Sequence, residues 1–344
     1  MKDYPYPYPW KELPGTAEEM AFLDERFAKM SIRERMLVEG SSRLESIETT
    51  ADLINLTEQL DNFSLYYGIN DDAALGKYIA TYQHQATPDQ LRFVDLNQWG
   101  RGIREENGGT YVSGGYVNQH YSCHEVYTGK NLEQMSGGSA SVRMKVASGS
   151  HPEGLWVRLP DHEISTDEPD ELSVAISELG ITKWSRAVLL EVECCLDNIT
   201  GIADQYESLE ELIGAGNNLG YVLEEQGQGM PFFQQLFQAA MELEGCTRLD
   251  EALDISQNLC CYDFIPSEQH WEKFGRDLAL KRELVHPSSP IGMYFDYASY
   301  CKAEINALNL QPSEGGYIAR NQKEFIREFS NEPQEQGQIF GHNL

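Results

Sequence analysis

Positive charge is scarce in this sequence of 344 residues. Only 26 lysines and arginines stand against 55 aspartates and glutamates, so the formal net charge is −29. A surface of that sign repels phosphate, which argues against nucleic acid as a partner and favours a basic one. The hydrophobic residues, 41% of the chain, are still sufficient to fill the cores of two or three modules.

Long hydrophobic runs are also absent. No window approaches the roughly 18 consecutive apolar residues that a membrane span needs, and the first ten residues lack the basic-then-apolar order of a signal peptide. We therefore expect a cytoplasmic protein that does not enter a membrane. The seven cysteines are an odd number, and the adjacent pairs Cys194-Cys195 and Cys260-Cys261 are poorly suited to disulfides. Reduced thiols are the expectation.

Common catalytic motifs are missing too. The chain contains no G-x-S-x-G, P-loop or H-E-x-x-H motif. His120, Cys123 and His124 come nearest to a metal site, but no fourth ligand is evident and the neighbouring Tyr and Gly residues favour a loop. Pairs of carboxylates are uninformative among 55 acidic residues. We expect no catalytic residues, no metal and no organic cofactor.

The negative charge is concentrated in the middle of the chain. Residues 151–254 contain 22 Asp and Glu but only 4 Lys and Arg, interleaved with apolar residues such as Leu155, Val157 and Val192. This pattern predicts an ordered acidic surface and not a disordered tail. Such charge can simply keep a protein soluble. The net charge of −29 of the whole chain also equals the phosphate charge of about fifteen base pairs of duplex DNA, so a rigid array could imitate DNA toward a basic groove.

Local signals predict several elements. The capping-box spacing of Thr16 with Glu19 and of Ser31 with Glu34 predicts two helices in an N-terminal hairpin. Glycines and serines over 125–150 suggest a linker. Apolar spacing predicts helices over 205–225 and 231–244, and the Val and Leu content of 188–196 predicts a strand.

Two segments about 200 residues apart share a series of residues in the same order. The matches include Leu60 with Leu259, Gly76 with Gly275, Asp95 with Asp296, and Gly114-Gly115-Tyr116 with Gly315-Gly316-Tyr317. The offset is 199 for the first two matches and 201 for the last two. We infer that one small α+β module occurs twice, on either side of the acidic section.

An ordered series of segments between residues 141 and 320 resembles the ArdA antirestriction family. The series consists of Gly154-Leu-Trp156-Val-Arg-Leu159-Pro160, the strand at 189–196, Ile202-Ala-Asp-Gln-Tyr206-Glu-Ser-Leu-Glu-Glu-Leu212, Phe295-Asp296-Tyr297 and Gly315-Gly316-Tyr317-Ile318. The N-terminal repeat copy resembles the third module of that family alone. The resemblance implies an acidic, elongated homodimer that mimics bent B-form DNA, occupies the DNA-binding groove of type I restriction-modification enzymes and comes from a mobile genetic element.

The chain also departs from the family pattern. Cys301 and Lys302 occupy the positions of a usual Gly-Arg pair, whereas the N-terminal copy keeps Gly100-Arg101 but has Leu96 in place of the tyrosine. The residues 213–216 separate Leu212 from the Asn-rich segment that normally follows it directly. These differences, like the extra N-terminal module, bear on the geometry of the dimer and leave the acidic residues in place.

Together these observations predict an α+β protein, an elongated chain of several small modules with the third-module-like repeat at both ends. The expected boundaries are an extension with a helical hairpin at 1–48, a repeat module at 49–124, a linker at 125–150, ArdA-like modules at 151–200, 201–247 and 248–330, and a tail at 331–344. The expected partner-binding surface consists of Asp161, Glu163, Asp167, Glu168, Asp170, Glu171, Glu191, Glu193, Asp197, Asp204, Glu207, Glu210, Glu211, Glu224 and Glu225.

Two other functions remain open at this point. One is a mobile-element adaptor that binds another protein through its duplicated modules. The weaker one is a metal-dependent hydrolase that uses His120, Cys123 and His124. Steep salt dependence of binding would separate a DNA mimic from an adaptor with an apolar interface.

Overall fold

The computed structural model of the chain describes residues 10–135, 140–161, 170–226 and 230–330, without the side chains of Trp10, Glu225 and Gln226. It contains 50% helix and 15% strand, and the described strands form three small sheets. The predicted α+β fold of several small modules is confirmed. The chain divides into a first unit, Met1–Cys195 with Ser208–Gly220, and a second unit, Leu196–Glu207 with Tyr221–Leu344.

Twelve α-helices and nine strands lie in the described residues. The helices are α1 Ala17–Ala28, α2 Ile32–Leu44, α3 Thr50–Thr57, α4 Asp72–Tyr78, α5 Pro88–Leu91, α6 Leu96–Asn107, α7 Glu171–Leu179, α8 Leu209–Tyr221, α9 Phe233–Glu244, α10 Leu249–Gln257, α11 Trp271–Lys281 and α12 Tyr297–Ala307. The strands are β1 Phe63–Tyr67, β2 Thr110–Val112, β3 Gly115–Gln119, β4 Val142–Ala147, β5 Leu155–Leu159, β6 Val188–Cys194, β7 Tyr262–Pro266, β8 Gln311–Ser313 and β9 Gly316–Arg320. A π-helical turn, Val222–Gln226, continues α8.

The two N-terminal helices begin at the predicted capping boxes. The Glu19 backbone N–H donates to Thr16 Oγ1 at 3.1 Å, and the Thr16 N–H donates to Glu19 Oε2 at 2.8 Å. Ser31 and Glu34 exchange the same two bonds at 3.1 and 2.8 Å. Caps of this type each contribute about 1 kcal/mol to helix stability. Both helices contact α3, and α2 also contacts the first sheet.

The first repeat copy is built on the antiparallel sheet β1-β3-β2. Helix α2 packs on all three strands, and its Leu37 and Val38 belong to the same buried core as Leu65 of β1 and Val117 of β3. Beside the sheet, α4 and α6 cross closely. A Cβ atom on Gly76 would lie 2.0 Å from the Leu96 carbonyl oxygen, so only glycine fits at this crossing.

A second sheet, of strand order β5-β4-β6, lies between the two copies in the sequence. Its central strand β4 has Val142, Met144 and Val146 fully buried. The linker that we predicted over 125–150 is therefore wrong for 142–147. The glycines and serines on either side favoured a linker, but the segment between them is a short strand in which polar Arg and Lys alternate with apolar residues. The strand predicted over 188–196 is confirmed as β6.

The C-terminal sheet has the order β7-β9-β8, the same order that the first copy has. Phe63 pairs with Gln119 in the first sheet. In the C-terminal sheet, Tyr262 pairs with Arg320. Tyr262 follows Phe63 by 199 residues, and Arg320 follows Gln119 by 201. The duplication is confirmed in element order, strand order and register.

Caps and turns of the two copies also correspond. Asp95 and Asp296 each cap the following helix by accepting a hydrogen bond from the N–H group three residues on, at 3.0 and 2.9 Å. Gly108 and Asn309, at an offset of 201, both adopt left-handed conformations with φ of 69° and 50°. Because glycine and asparagine tolerate this conformation best, the same turn closes both copies despite different residues.

The repeated unit is longer than the sequence indicates, because a preceding helix belongs to each copy. Helix α9 contacts β7, β8 and β9 as α2 contacts β1, β2 and β3. A Cβ atom on Gly114 would lie 2.3 Å from Met36 Cε, and one on the equivalent Gly315 would lie 2.4 Å from Gln235 O. Our boundaries at 49 and 248 therefore begin each module too late. The helices predicted over 205–225 and 231–244 correspond to α8 with its π-helical turn and to α9.

A segment after the last strand is held in the same way in both copies. Asn55 Oδ1 accepts hydrogen bonds from the N–H groups of residues 126 and 127, each at 2.7 Å. Asp254, its equivalent at an offset of 199, accepts from those of residues 328 and 329 at 2.7 and 2.9 Å. The repeated unit thus runs from α2 to residue 127 and from α9 to residue 329.

Candidate functional site

The acidic stretch, which we define as residues 187–247, contains 11 Asp and Glu side chains and no lysine, arginine or histidine. Its charge can therefore be balanced only by residues from elsewhere in the chain, by counterions or by a partner. It comprises β6, the connection 195–208, α8 with its π-helical turn, and α9.

The two carboxylates of β6 are exposed and engaged in ion pairs. Glu191 lies 2.9 Å from Lys145 Nζ, and Glu193 lies 2.8 Å from Lys29 Nζ. Surface pairs of this kind contribute at most about 1 kcal/mol. They partly neutralise Glu191 and Glu193, which weakens the case for these two residues as phosphate substitutes.

Five further carboxylates, between the end of β6 and the first turn of α8, are exposed. This exposed five consists of Asp197, Asp204, Glu207, Glu210 and Glu211. Glu210 Oε1 accepts a hydrogen bond from the Ser185 N–H at 3.1 Å. Glu210 and Glu211 lie in the first turn of α8, where the partial positive charge of the helix N-terminus stabilises negative side chains. The exposed five fall on both units, three in the second and two in the first.

Three of the predicted surface carboxylates, Asp161, Asp170 and Glu171, have roles in the fold, and the burial of Glu171 contradicts a surface position for that residue. Asp161 accepts hydrogen bonds from the N–H groups of Glu171 and Leu172 at 2.8 and 3.3 Å, and Asp170 accepts one from Ser173 N at 2.6 Å. Asp161 and Asp170 thus cap α7. Glu171 is 7% exposed, and its Oε1 accepts a hydrogen bond from the Arg158 N–H at 3.3 Å.

Burial and neighbouring charge perturb two of these groups. Burial raises the pKa of Asp161 to about 6, with a further contribution from the charge of Asp170. Burial likewise raises the pKa of Glu171 to about 7, and the Glu34 carboxylate adds to the shift. A carboxyl group that resists ionisation is a poor substitute for a phosphate, which is fully charged at neutral pH.

The remaining predicted residues are only partly described. Glu163, Asp167 and Glu168 lie outside the described residues, and the side chain of Glu225 is not described. Glu224 is half-buried and lines a cavity of about 420 Å³ in the second unit.

Sequence reasoning missed a buried ionic cluster in the first unit. The Glu34 carboxylate receives two hydrogen bonds from the Arg143 guanidinium, at 2.9 and 3.0 Å. Arg26 and Arg158 lie 3.7 and 3.8 Å from it. Burial alone would raise the pKa of Glu34, but the charges of Arg143 and Arg26 hold it well below its usual range. Glu34 therefore remains ionised inside the protein, and it joins the N-terminal helices to the β5-β4-β6 sheet.

The His120, Cys123 and His124 segment forms a loop, as its composition suggests. His120 Nε2 lies 2.5 Å from Ser64 Oγ, and the Asn62 amide lies 3.9 Å from Cys123 Sγ. His124 is held through its backbone, because its N–H donates to Gln59 Oε1 at 3.0 Å. Within the described residues, no group of three or more His, Cys, Asp and Glu side chains could hold a metal ion. The seven cysteines form no disulfide.

Comparisons with known proteins bear on neither the fold family nor the site. The chain matched no protein-family model, no curated protein and no solved structure. Separately, none of the helices in the described ranges has both the length and the apolar character to cross a membrane.

Proposed function

We propose that the protein is a non-enzymatic, cytoplasmic antirestriction protein that mimics B-form DNA. As a homodimer it occupies the basic DNA-binding groove of a type I restriction-modification enzyme. The observation that carries the proposal is the acidic stretch, in which 11 carboxylates occur over 61 residues without one lysine, arginine or histidine. The resemblance of residues 141–320 to the ArdA family supplies the enzyme class.

Counterion release provides the driving force for this binding. A groove that binds DNA carries Lys and Arg side chains with associated anions, and a protein that presents carboxylates at comparable density displaces those anions as DNA does. The exposed five are the strongest candidates, because they lie at the surface in a part of the sequence that contains no lysine, arginine or histidine. The Glu191 and Glu193 carboxylates contribute less, since each must first leave its lysine.

The experiment that tests the proposal is competition between the protein and DNA for a type I methyltransferase core. We expect saturable binding of the purified protein, which a duplex containing the recognition site displaces in a competitive manner. Failure to bind the core, or binding that persists unchanged in the presence of saturating DNA, would contradict the proposal.

A second candidate function, an adaptor, is favoured by one specific observation. The segment between α11 and α12 exposes Ile291, Met293 and Tyr294, the last at 89%. Phe93, at an offset of 201 from Tyr294, is 90% exposed in the first copy. Large apolar side chains exposed at equivalent positions are typical of protein-binding surfaces. Binding to the methyltransferase core that is insensitive to salt and is abolished by Tyr294→Ser would favour the adaptor.

A further inference from the structure

Strand β6 is an end strand of the sheet β5-β4-β6, so within the described residues one of its long sides has no neighbouring strand. Four of its seven residues are exposed, among them Val188 at 61% and Leu190 at 45%. Strand β1, which is also an end strand, is by contrast buried over its first four residues. An exposed end strand is a template on which another extended chain can pair.

The backbone register identifies the groups that this outer edge presents. The Cys195 N–H donates to the Ser141 carbonyl at 2.9 Å, and the two strands stay in step from there to Glu191. Because alternate residues of an antiparallel strand bond to the same neighbour, Glu191 and Glu193 bond to β4, and the N–H and C=O groups of Val192 point outward. No residue in the described part of the chain forms a hydrogen bond with these two Val192 groups.

The side chains of β6 favour a basic strand at this edge. Glu191 and Glu193 are two residues apart and therefore project from the same face of the sheet. Each has a lysine at its Oε1 atom, but a carboxylate can accept several hydrogen bonds, and 56% and 43% of the two side chains are exposed. Opposite charges on neighbouring strands stabilise the pairing. The strand contains no lysine or proline, the residues that commonly protect such an edge.

A second copy of β6 fits the edge poorly. Antiparallel pairing of two β6 strands centred on Glu191 places this residue opposite Glu191 of the other copy, and pairing centred on Val192 places Glu191 opposite Glu193. Like charges directly opposite each other destabilise a strand pair, and each chain carries a net charge of −29. The charge of the edge therefore selects a basic occupant.

We propose that the outer edge of β6 binds an extended, basic segment of a protein partner as an added strand, in which lysine or arginine alternates with apolar residues. The Val192 backbone supplies main-chain hydrogen bonds, and Glu191 and Glu193 supply the charge that selects the sequence. This inference goes beyond the proposed function, because it adds main-chain pairing to the side-chain charge by which a DNA mimic acts. It does not depend on which enzyme is the partner.

The first test uses the full-length protein and three peptides with blocked ends. They are Lys-Val-Lys-Val-Lys-Val-Lys, the same peptide with its three valines N-methylated, and Glu-Val-Glu-Val-Glu-Val-Glu. When the lysines lie opposite the two glutamates of β6, the valines lie opposite Val192, so N-methylation removes the donors that this pairing needs. In an NMR titration the lysine peptide should bind at least about tenfold more tightly than either of the others. Equal binding of the N-methylated peptide would show attraction by charge alone and would overturn the inference.

Hydrogen exchange locates the contact on the protein. The Val192 amide should exchange at least about tenfold more slowly when the lysine peptide is bound, because its N–H then donates to the peptide. The amides of Glu191 and Glu193, which already donate to β4, should change little. An unchanged exchange rate of the Val192 amide in the saturated complex would overturn the inference.

Two matched variants test the same edge by substitution. Leu190→Lys places a positive charge on β6, and Leu280→Lys makes the same change on helix α11, at a leucine with the same exposed fraction of 45%. Leu190→Lys should weaken binding of the lysine peptide about fivefold or more, and Leu280→Lys by less than about twofold. Equal effects of the two variants would overturn the inference.

Sedimentation of the wild type and of Leu190→Lys distinguishes the possible occupants. We expect the same oligomeric state for both proteins, because β6 does not join two copies in this account. Dissociation of a wild-type assembly by Leu190→Lys would assign the edge to a second copy and overturn the inference. None of these measurements involves the methyltransferase core, so their failure would leave the proposed function intact, and failure of core binding would leave the strand site intact.

Discussion

Two regions of the molecule use carboxylates in opposite ways. In the ionic cluster around Glu34, one buried carboxylate is enclosed by Arg26, Arg143 and Arg158. In the acidic stretch, the exposed five lie at the surface, and that part of the sequence lacks cations altogether. The net charge of −29 therefore combines carboxylates that have different roles in the molecule. Some carboxylates are buried and hold the fold together, and others lie exposed at the surface.

The largest expected effect comes from breaking the buried cluster. Glu34→Gln leaves three arginines without their shared counterion and also weakens the capping box of α2. Removing one partner of a buried ion pair costs about 3–5 kcal/mol, so the free energy of unfolding should fall by that amount. Urea denaturation measures it. Glu18→Gln on α1, where Glu18 is exposed, is the control, and an equal small effect of both substitutions would contradict the structural role of Glu34.

Neutralising the exposed five together should change the affinity for the partner strongly and the stability of the fold only slightly. The variant with Asp197→Asn, Asp204→Asn, Glu207→Gln, Glu210→Gln and Glu211→Gln should keep its stability within about 1 kcal/mol, since these charges are screened by water. Its affinity for the methyltransferase core should fall by about 100-fold or more, because the counterion release that these residues provide is lost. Surface plasmon resonance measures the affinity, and retained affinity would contradict their role.

The pH dependence of stability distinguishes a third kind of carboxylate. Glu171 has its pKa raised to about 7 in the folded protein from an ordinary value near 4.5. The folded state therefore binds a proton that the unfolded state releases, and stability should fall as the pH rises from about 4.5 to 7. The loss attributable to Glu171 should be about 1–3 kcal/mol.

Glu171→Gln isolates this contribution. The variant cannot ionise at residue 171, so its advantage over the wild type should grow across that pH interval. Thermal unfolding of both proteins at several pH values measures the difference. Parallel stability profiles would show that Glu171 does not titrate in this way.

The smallest effect is expected for single neutralisations within the exposed five. Glu207→Gln should reduce affinity for the core by less than about threefold, since one exposed charge contributes a few tenths of a kcal/mol. If Glu207→Gln abolished binding while the protein remained folded, a local hot spot would replace the distributed array.

Some of this organisation could be predicted from the sequence, because its signals are local or repeated. Thr16 and Ser31 each form a capping box with the Glu three residues later, and this spacing predicts the start of a helix. Gly114 and Gly315 mark the same turn in both copies. Both helices, α2 and α9, were predicted, but their membership in the repeated module was not, because a helix can cover a sheet with many combinations of apolar residues. Helices α2 and α9 share few identities although they occupy equivalent places.

The candidate site was harder to predict, because composition does not report burial. Asp161 and Glu171 resemble any other acidic residue in the sequence, yet one caps a helix and the other is enclosed. The sequence identifies only the local partner of Glu34, Ser31, because Arg143 is 109 residues away in the chain.

The measurement that tests DNA mimicry most directly is the salt dependence of binding to the methyltransferase core. The logarithm of the affinity should fall steeply and linearly with the logarithm of salt concentration, by orders of magnitude between about 50 and 200 mM. The variant that lacks the exposed five should show a clearly flatter slope. A wild-type affinity that is constant over this range, or an equal slope for the variant, would contradict the claim that these carboxylates stand in for the phosphates of DNA.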